Sequence, residues 1–254
     1  MKQQFDNVLK YIKEDLDVDG CITGSIMLGY MPDQNQDIDL FVYSETAFTK
    51  AIYALYYNPM FLILEPMEKW KFDDWTNNPY RGSLKKLGLV SIKFKYNMCI
   101  DVNIIFKEKN HSIFDVLSSF DMDIISSGYE ISTKQTLDLS NGSQQSKIAS
   151  WNKWNKTFYT PNIWTVSRIL RQFLRIQKYT DRGYDCTPMA YKYIEILKDA
   201  INYESIFNSD KVSEKIDSIK LNGTILIQII EKWLKVKTLT KEEIVLIDEL
   251  IKKL

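Results

Sequence analysis

The chain of 254 residues has a single histidine, His111, so histidine-based acid–base catalysis and His-rich metal sites are not expected. Its three cysteines, Cys21, Cys99 and Cys186, are odd in number and widely spaced, which excludes a metal knuckle and points to reduced thiols in a cytosolic setting. Charge of one sign is also lacking. Thirty-three Lys and Arg balance thirty-three Asp and Glu, so a long, sequence-independent grip on nucleic acid is not expected, although a local basic face is compatible with that balance. No apolar run approaches the ~20 residues that a membrane helix needs. The opening MKQQFDNVLKYIK has no long apolar core, so neither a secretory signal nor a membrane partner is expected, and the expected location is cytoplasmic. Internal repeats and low-complexity segments are missing too.

What is present is a chain in two textures. Phe5, Val8, Leu9, Ile12 and Leu16 recur at helical spacing and predict an opening amphipathic helix. CITG reads as a short strand, SIMLGY as a short helix, DIDLFVY as a strand and residues 45–57 as a helix. MFLILE (60–65) reads as a further strand. LVSIKFK (89–95) and MCIDVNIIF (98–106) predict a hairpin across Tyr96-Asn97. SNGSQQSK (140–147) is loop-like, and the period after it is helical throughout. Thr187-Pro188 predicts a cap with proline at the first helical position, and Thr240 to Glu243 a capping box. The expected organisation is an α+β domain over 1–144 followed by an α-helical domain over 145–254.

Asp-x-Asp occurs four times, so setting must separate the copies. Asp15 to Gly20 (DLDVDG) suggests a calcium loop, but its twelfth position is Ile26 where a bidentate glutamate is needed, which leaves a solvated helix end. Asp37 and Asp39 stand in an apolar strand. Residues two apart in a strand share a face, so both carboxylates project together while Ile38, Leu40 and Val42 bury the other side. Like charges ~6–7 Å apart repel unless a cation lies between them. Oxygen ligands of that kind suit Mg²⁺ or Mn²⁺. Asp101, in MCIDVNIIF, supplies a third acid with Asn103 at i+2; the alternative is that it answers a buried Lys or Arg. Gly24-Ser25, at a strand-to-helix turn, allows close backbone approach and offers free N–H groups to an anion. Without a ligand, the same pair reads as an N-cap.

Gly24-Ser25, eleven intervening residues, Asp37-Ile-Asp39 and then Asp101 on a later strand resemble the pattern of the polymerase-beta-like nucleotidyltransferase superfamily, over residues 20–106. The resemblance implies a mixed β-sheet flanked by helices with a helical bundle behind it. It also implies transfer of NMP from an NTP to a hydroxyl acceptor with release of pyrophosphate. Asp37 and Asp39 would then hold two metal ions, Mg²⁺ or Mn²⁺, and Asp101 would complete the catalytic one. Gly24 and Ser25 would bind the β- and γ-phosphates. SFDMDIISSGYE (119–130) with RILRQFLRIQKYTDRGY (168–184) is similar to a combination found in nucleotidyltransferase-like proteins of large viruses and some microbes, a group with no settled activity.

Between Ser25 and Asp37 the chain has Pro32, Gln34, Asn35 and Gln36 and no cation, so a cation for the triphosphate has to come from elsewhere. Arg168, Arg171, Arg175 and Lys178 fall within roughly 80° of one helical face, opposite Ile169, Leu170, Phe173 and Ile176. They read as a clamp on triphosphate or on an RNA backbone, or as a solvated face. Lys93 and Lys95 read as further phosphate contacts or as edge-strand lysines. Trp151, Trp154 and Trp164 read as base-stacking or packing residues, and Asp121 and Asp123 as a fourth acidic element or a turn. The acceptor expected is RNA such as a tRNA end, which the basic stripe slightly favours, or a small molecule or protein. Two other readings share these residues: a catalytically silent nucleotide-binding module and a toxin-like nucleotidyltransferase.

Overall fold

The computed structural model describes residues 2–29, 36–64, 85, 88–155, 165–202 and 210–253. The chain divides into two units, one of Met1–Phe120 with Ile125–Asn141, the other of Asp121–Ile124 with Gly142–Leu254.

The first unit is built on β-alternation. Strands β1 (Gly20–Thr23), β2 (Ile38–Val42), β3 (Phe61–Ile63), β4 (Leu89–Tyr96), β5 (Ile100–Lys107), β6 (Ser127–Glu130) and β7 (Thr136–Asp138) form one sheet in the order β3-β4-β5-β2-β1-β6-β7. β2 and β5 are parallel and the other neighbours antiparallel, so the sheet is mixed and the architecture α+β. In β5 every second residue (Ile100, Val102, Ile104, Phe106) is buried while Asp101, Asn103, Ile105 and Lys107 are half-exposed. β4 alternates the same way, burying Val90, Ile92, Phe94 and Tyr96.

That apolar face packs on α1 (Lys2–Lys10) and α2 (Glu45–Tyr56) in one core, with Phe5, Val8 and Ile12 from the N-terminal segment and Phe48, Ile52 and Leu55 from α2. The predicted opening helix is found, but it switches to a π-turn over Tyr11–Asp15, where the Leu16 N–H bonds the Tyr11 carbonyl. Ser44 caps α2 through a bond from the Ala47 N–H. The β4–β5 turn places Asn97 and Met98 in the left-handed region (φ 46° and 61°), one residue past the predicted pair. A helix α3 (Ile113–Ser118) lays Val116 against Cys21, Phe41 and Tyr43, and the polar residues farther along β2 and β5 lie beyond that cluster. Burial pushes the Cys21 thiol up to about 12.

In the second unit, α4 (Thr165–Asp181) buries Ile169, Leu170, Phe173 and Ile176 and packs on α5 (Thr187–Asn202), α6 (Asp210–Val236) and α7 (Lys241–Lys253). α4 stops in a Schellman turn. The Tyr184 N–H reaches back to Tyr179 O and the Gly183 N–H to Thr180 O, with Gly183 at φ 81°. The predicted capping box is present, Thr240 N–H to Glu243 Oε2 at 2.8 Å and Glu243 N–H to Thr240 Oγ1 at 3.2 Å. At α5 the cap differs from the expectation, because Asp185 Oδ1 receives both the Thr187 N–H and its hydroxyl. The stretch before α4 is not helical throughout: Met122 bridges to Trp151 and Ile148 to Asp185.

Phe48 is fully buried at the centre of the first core. Phe48→Ala is expected to lower unfolding free energy by about 4 kcal/mol in urea titration, whereas a loss under about 1 kcal/mol would contradict this core.

Candidate active site

The turn after β1 depends on glycine. Gly24 has φ 85°, and a Cβ placed on it would stand 3.1 Å from Asp39 Oδ2. A side chain would therefore be strained in backbone and crowded against the carboxylate at once. The chain continues as a 3-10 turn over Gly24–Leu28, in which Ser25 is buried. Gln36, just ahead of β2, fastens this turn by donating its Nε2 to Ser25 O at 3.0 Å and Gly29 O at 2.9 Å. The Thr23 hydroxyl donates to Ser127 O at 2.6 Å, fixing the end of β1 to β6. Pro32, Gln34 and Asn35 lie outside the described residues.

Strand register then lines up the polar face. Thr23 is opposite Asp39, Asp39 opposite Asn103 and Asn103 opposite Lys93, one row across four strands. Two residues away, Asp101 is opposite Lys95. Asp37 and Asp39 are brought together by Asn103, which the sequence shows only as the residue two after Asp101. Asn103 Nδ2 donates to Asp37 Oδ2 at 3.0 Å and to Asp39 Oδ1 at 2.8 Å.

Asp101 is held differently. Lys95 Nζ stands 2.9 Å from its Oδ1 and Lys93 Nζ 3.4 Å from its Oδ2. Partial burial pushes this carboxyl upward, but the two ammonium groups outweigh it and hold the pKa below the ordinary carboxylate value. Asp101 thus faces two lysines in a half-open setting, and among the described residues no three of His, Cys, Asp and Glu are gathered closely enough to hold a metal ion. The donor set still suits one hard cation, because Mg²⁺ is commonly held by one or two carboxylates and completes its shell with water and substrate phosphates. Asp37 and Asp39 are such a pair. A further ion on Asp101 requires its lysines to yield.

The basic helix does not present four equivalent cations. Arg171 is exposed and Lys178 half-buried, while the side chain of Arg168 lies outside the described residues. Arg175 instead binds Asp121, Nη1 to Oδ1 at 3.0 Å, and Tyr193 donates its hydroxyl to Asp121 Oδ2 at 2.9 Å. Burial disfavours the Arg175 charge, yet Asp121, Tyr179 and Tyr193 together raise its pKa above the usual value. The outward placement expected for Arg175 is therefore corrected: a helical wheel fixes the direction of Cβ but not where a long guanidinium finds its acid. Asp121 and Asp123 have structural partners of their own, since Asp123 Oδ1 accepts the Ser150 N–H at 2.9 Å and Asp121 O accepts the Asn152 N–H at 2.8 Å. Trp151 lies in the bridge to Met122, Trp154 is exposed, and Trp164 lies outside the described residues.

No family model matches the sequence, and no curated protein matches it. Among solved structures, the Thermotoga maritima CCA-adding enzyme complexed with tRNA is similar at a TM-score of 0.41 and 12% identity, covering 98% of this chain and 69% of that one. A likeness this distant carries no functional argument.

Gly24→Ala is expected to cost about 1–2 kcal/mol in urea titration, from the left-handed backbone together with the contact on Asp39; an unchanged midpoint would show that the turn relaxes freely. Because the Asp101 pKa is lowered in the folded state, its stabilising contribution is present above the ordinary value of 3.8 and lost as pH falls through the lowered one. Wild type is therefore expected to exceed Asp101→Asn in stability at about pH 6, the gap narrowing as pH falls below 3.8.

Proposed function

We propose that the chain is a divalent-metal-dependent nucleotidyltransferase that moves NMP from an NTP to a hydroxyl acceptor and releases pyrophosphate. One observation carries the reading: the Asp37–Asn103–Asp39 cluster sits directly against the left-handed turn at Gly24. Phosphate-binding turn and carboxylate pair are thereby neighbours, as in-line transfer at an α-phosphorus requires. Each part has a role. Asp37 and Asp39 hold Mg²⁺ or Mn²⁺. Gly24 and Ser25 receive the β- and γ-phosphates. Lys93 and Lys95, beside Asp101, bring positive charge to the edge where pyrophosphate forms. Asp101 would add a further ligand if Lys93 and Lys95 were drawn to the triphosphate.

The bound cation supplies a lowered pKa on the attacking hydroxyl and charge neutralisation on the leaving group. No side-chain base is then needed, which agrees with the single histidine of the sequence. The acceptor proposed is an RNA hydroxyl, for which Arg171 of the helical unit offers an exposed cation. Arg175 is omitted because Asp121 engages it.

Incubation with each α-labelled NTP, Mg²⁺ or Mn²⁺ and total RNA or cell extract tests the proposal. Label is expected in RNA, and Asp39→Ala is expected to lower incorporation by at least about 10²-fold. Label in a small molecule or in protein would overturn the RNA acceptor alone. No turnover of any NTP with either metal would overturn the enzyme and leave the silent module; arrested growth on expression of wild type but not of Asp39→Ala would mark a toxin.

A further inference from the structure

The residue facing Asp39 across the parallel pair β2–β5 is an amide, Asn103. Its Nδ2 carries two hydrogens, and one goes to each carboxylate, at 3.0 Å and 2.8 Å. The orientation of the amide follows from the surroundings, because a flipped group would turn its carbonyl oxygen on two carboxylates. The bond to Asp39 engages Oδ1, while the other oxygen, Oδ2, is the atom against Gly24. Both carboxylates are therefore oriented from the same nitrogen, and Asp39 is confined on its far side by the glycine turn.

We propose that Asn103 is a positioning residue: it holds Asp37 and Asp39 convergent so that they accept one divalent cation as a pair formed in advance. The inference rests on the reading that these two aspartates bind metal. Two like charges two residues apart turn away from each other when nothing joins them, and a cation then has to gather them at a cost to its affinity. A donor on the neighbouring strand removes that reorganisation. Hydrogen-bonding partners of metal ligands are worth about 10–100-fold in metal affinity. Asn103 has no comparable duty in the core. It is half-exposed, and its neighbours Val102 and Ile104 bury their side chains on the opposite face.

The test is Mn²⁺ titration followed by electron paramagnetic resonance, with melting temperature recorded in metal-free buffer, for wild type, Asn103→Ala, Asn103→Asp and Asp39→Ala. Asn103→Ala is expected to bind Mn²⁺ about 10–100-fold more weakly while melting close to wild type, a split that a purely structural residue would reverse. Asn103→Asp places a third carboxylate beside the pair, so it is expected to melt lower without metal and to gain more from Mn²⁺ than wild type does. Wild-type Mn²⁺ affinity in Asn103→Ala overturns the positioning role and leaves the metal reading of Asp37 and Asp39 intact. If Asn103→Ala fails to fold, a Mn²⁺ shift in Asn103→Asp no larger than that of wild type overturns the role equally. Absence of Mn²⁺ binding by wild type, or equal binding by Asp39→Ala, overturns both.

Discussion

Two negative charges at the head of β2, Asp37 just before the strand and Asp39 within it, are the constraint around which the candidate site is arranged. Their mutual repulsion must be answered by something, and the answer here is an amide from the next strand, a single Nδ2 bonded to both. That solution requires the parallel register in which Asp39 meets Asn103. It requires the hairpin that carries β5 alongside β4, and it requires a turn after β1 that leaves room for Asp39 Oδ2, hence Gly24. A shift of one residue in either register would send the acids into the apolar core and the core residues to the surface.

The sheet makes this possible by dividing its work between faces. One face is closed by α1 and α2 over a continuous apolar core. Among the described residues, α3 covers the other where Phe41, Tyr43 and Cys21 lie, and the ends of β1 and β4 and the starts of β2 and β5 bear the polar row. Asp101 lies in the same patch under the hold of Lys93 and Lys95. In this arrangement three acids and two lysines share one patch, and the lysines hold the Asp101 carboxyl below its ordinary pKa.

Much of the framework was legible because its signals are local. Alternation in IDVNIIF fixed which residues of β5 face the core, and the reciprocal bonds of Thr240 and Glu243 follow from residue type and spacing. The site was legible in part. The shared face of Asp37 and Asp39 comes from the strand period, but their partner comes from a register between segments more than sixty residues apart, which no local pattern encodes. Asn103 was visible as the residue two after Asp101, but which acids its amide meets is set by the register of β2 on β5. Arg175 taught the same lesson in the helical unit. Its wheel position looked solvent-facing, yet a buried acid 54 residues earlier takes its guanidinium.

The most direct measurement of the central claim is equilibrium binding of a non-hydrolysable NTP analogue to the full chain, with and without Mn²⁺, in wild type and in an Asp37→Asn, Asp39→Asn double variant. The account predicts that Mn²⁺ tightens binding to wild type and has no effect on the double variant. Binding that ignores Mn²⁺ in wild type, or that Mn²⁺ tightens equally in both proteins, would contradict it.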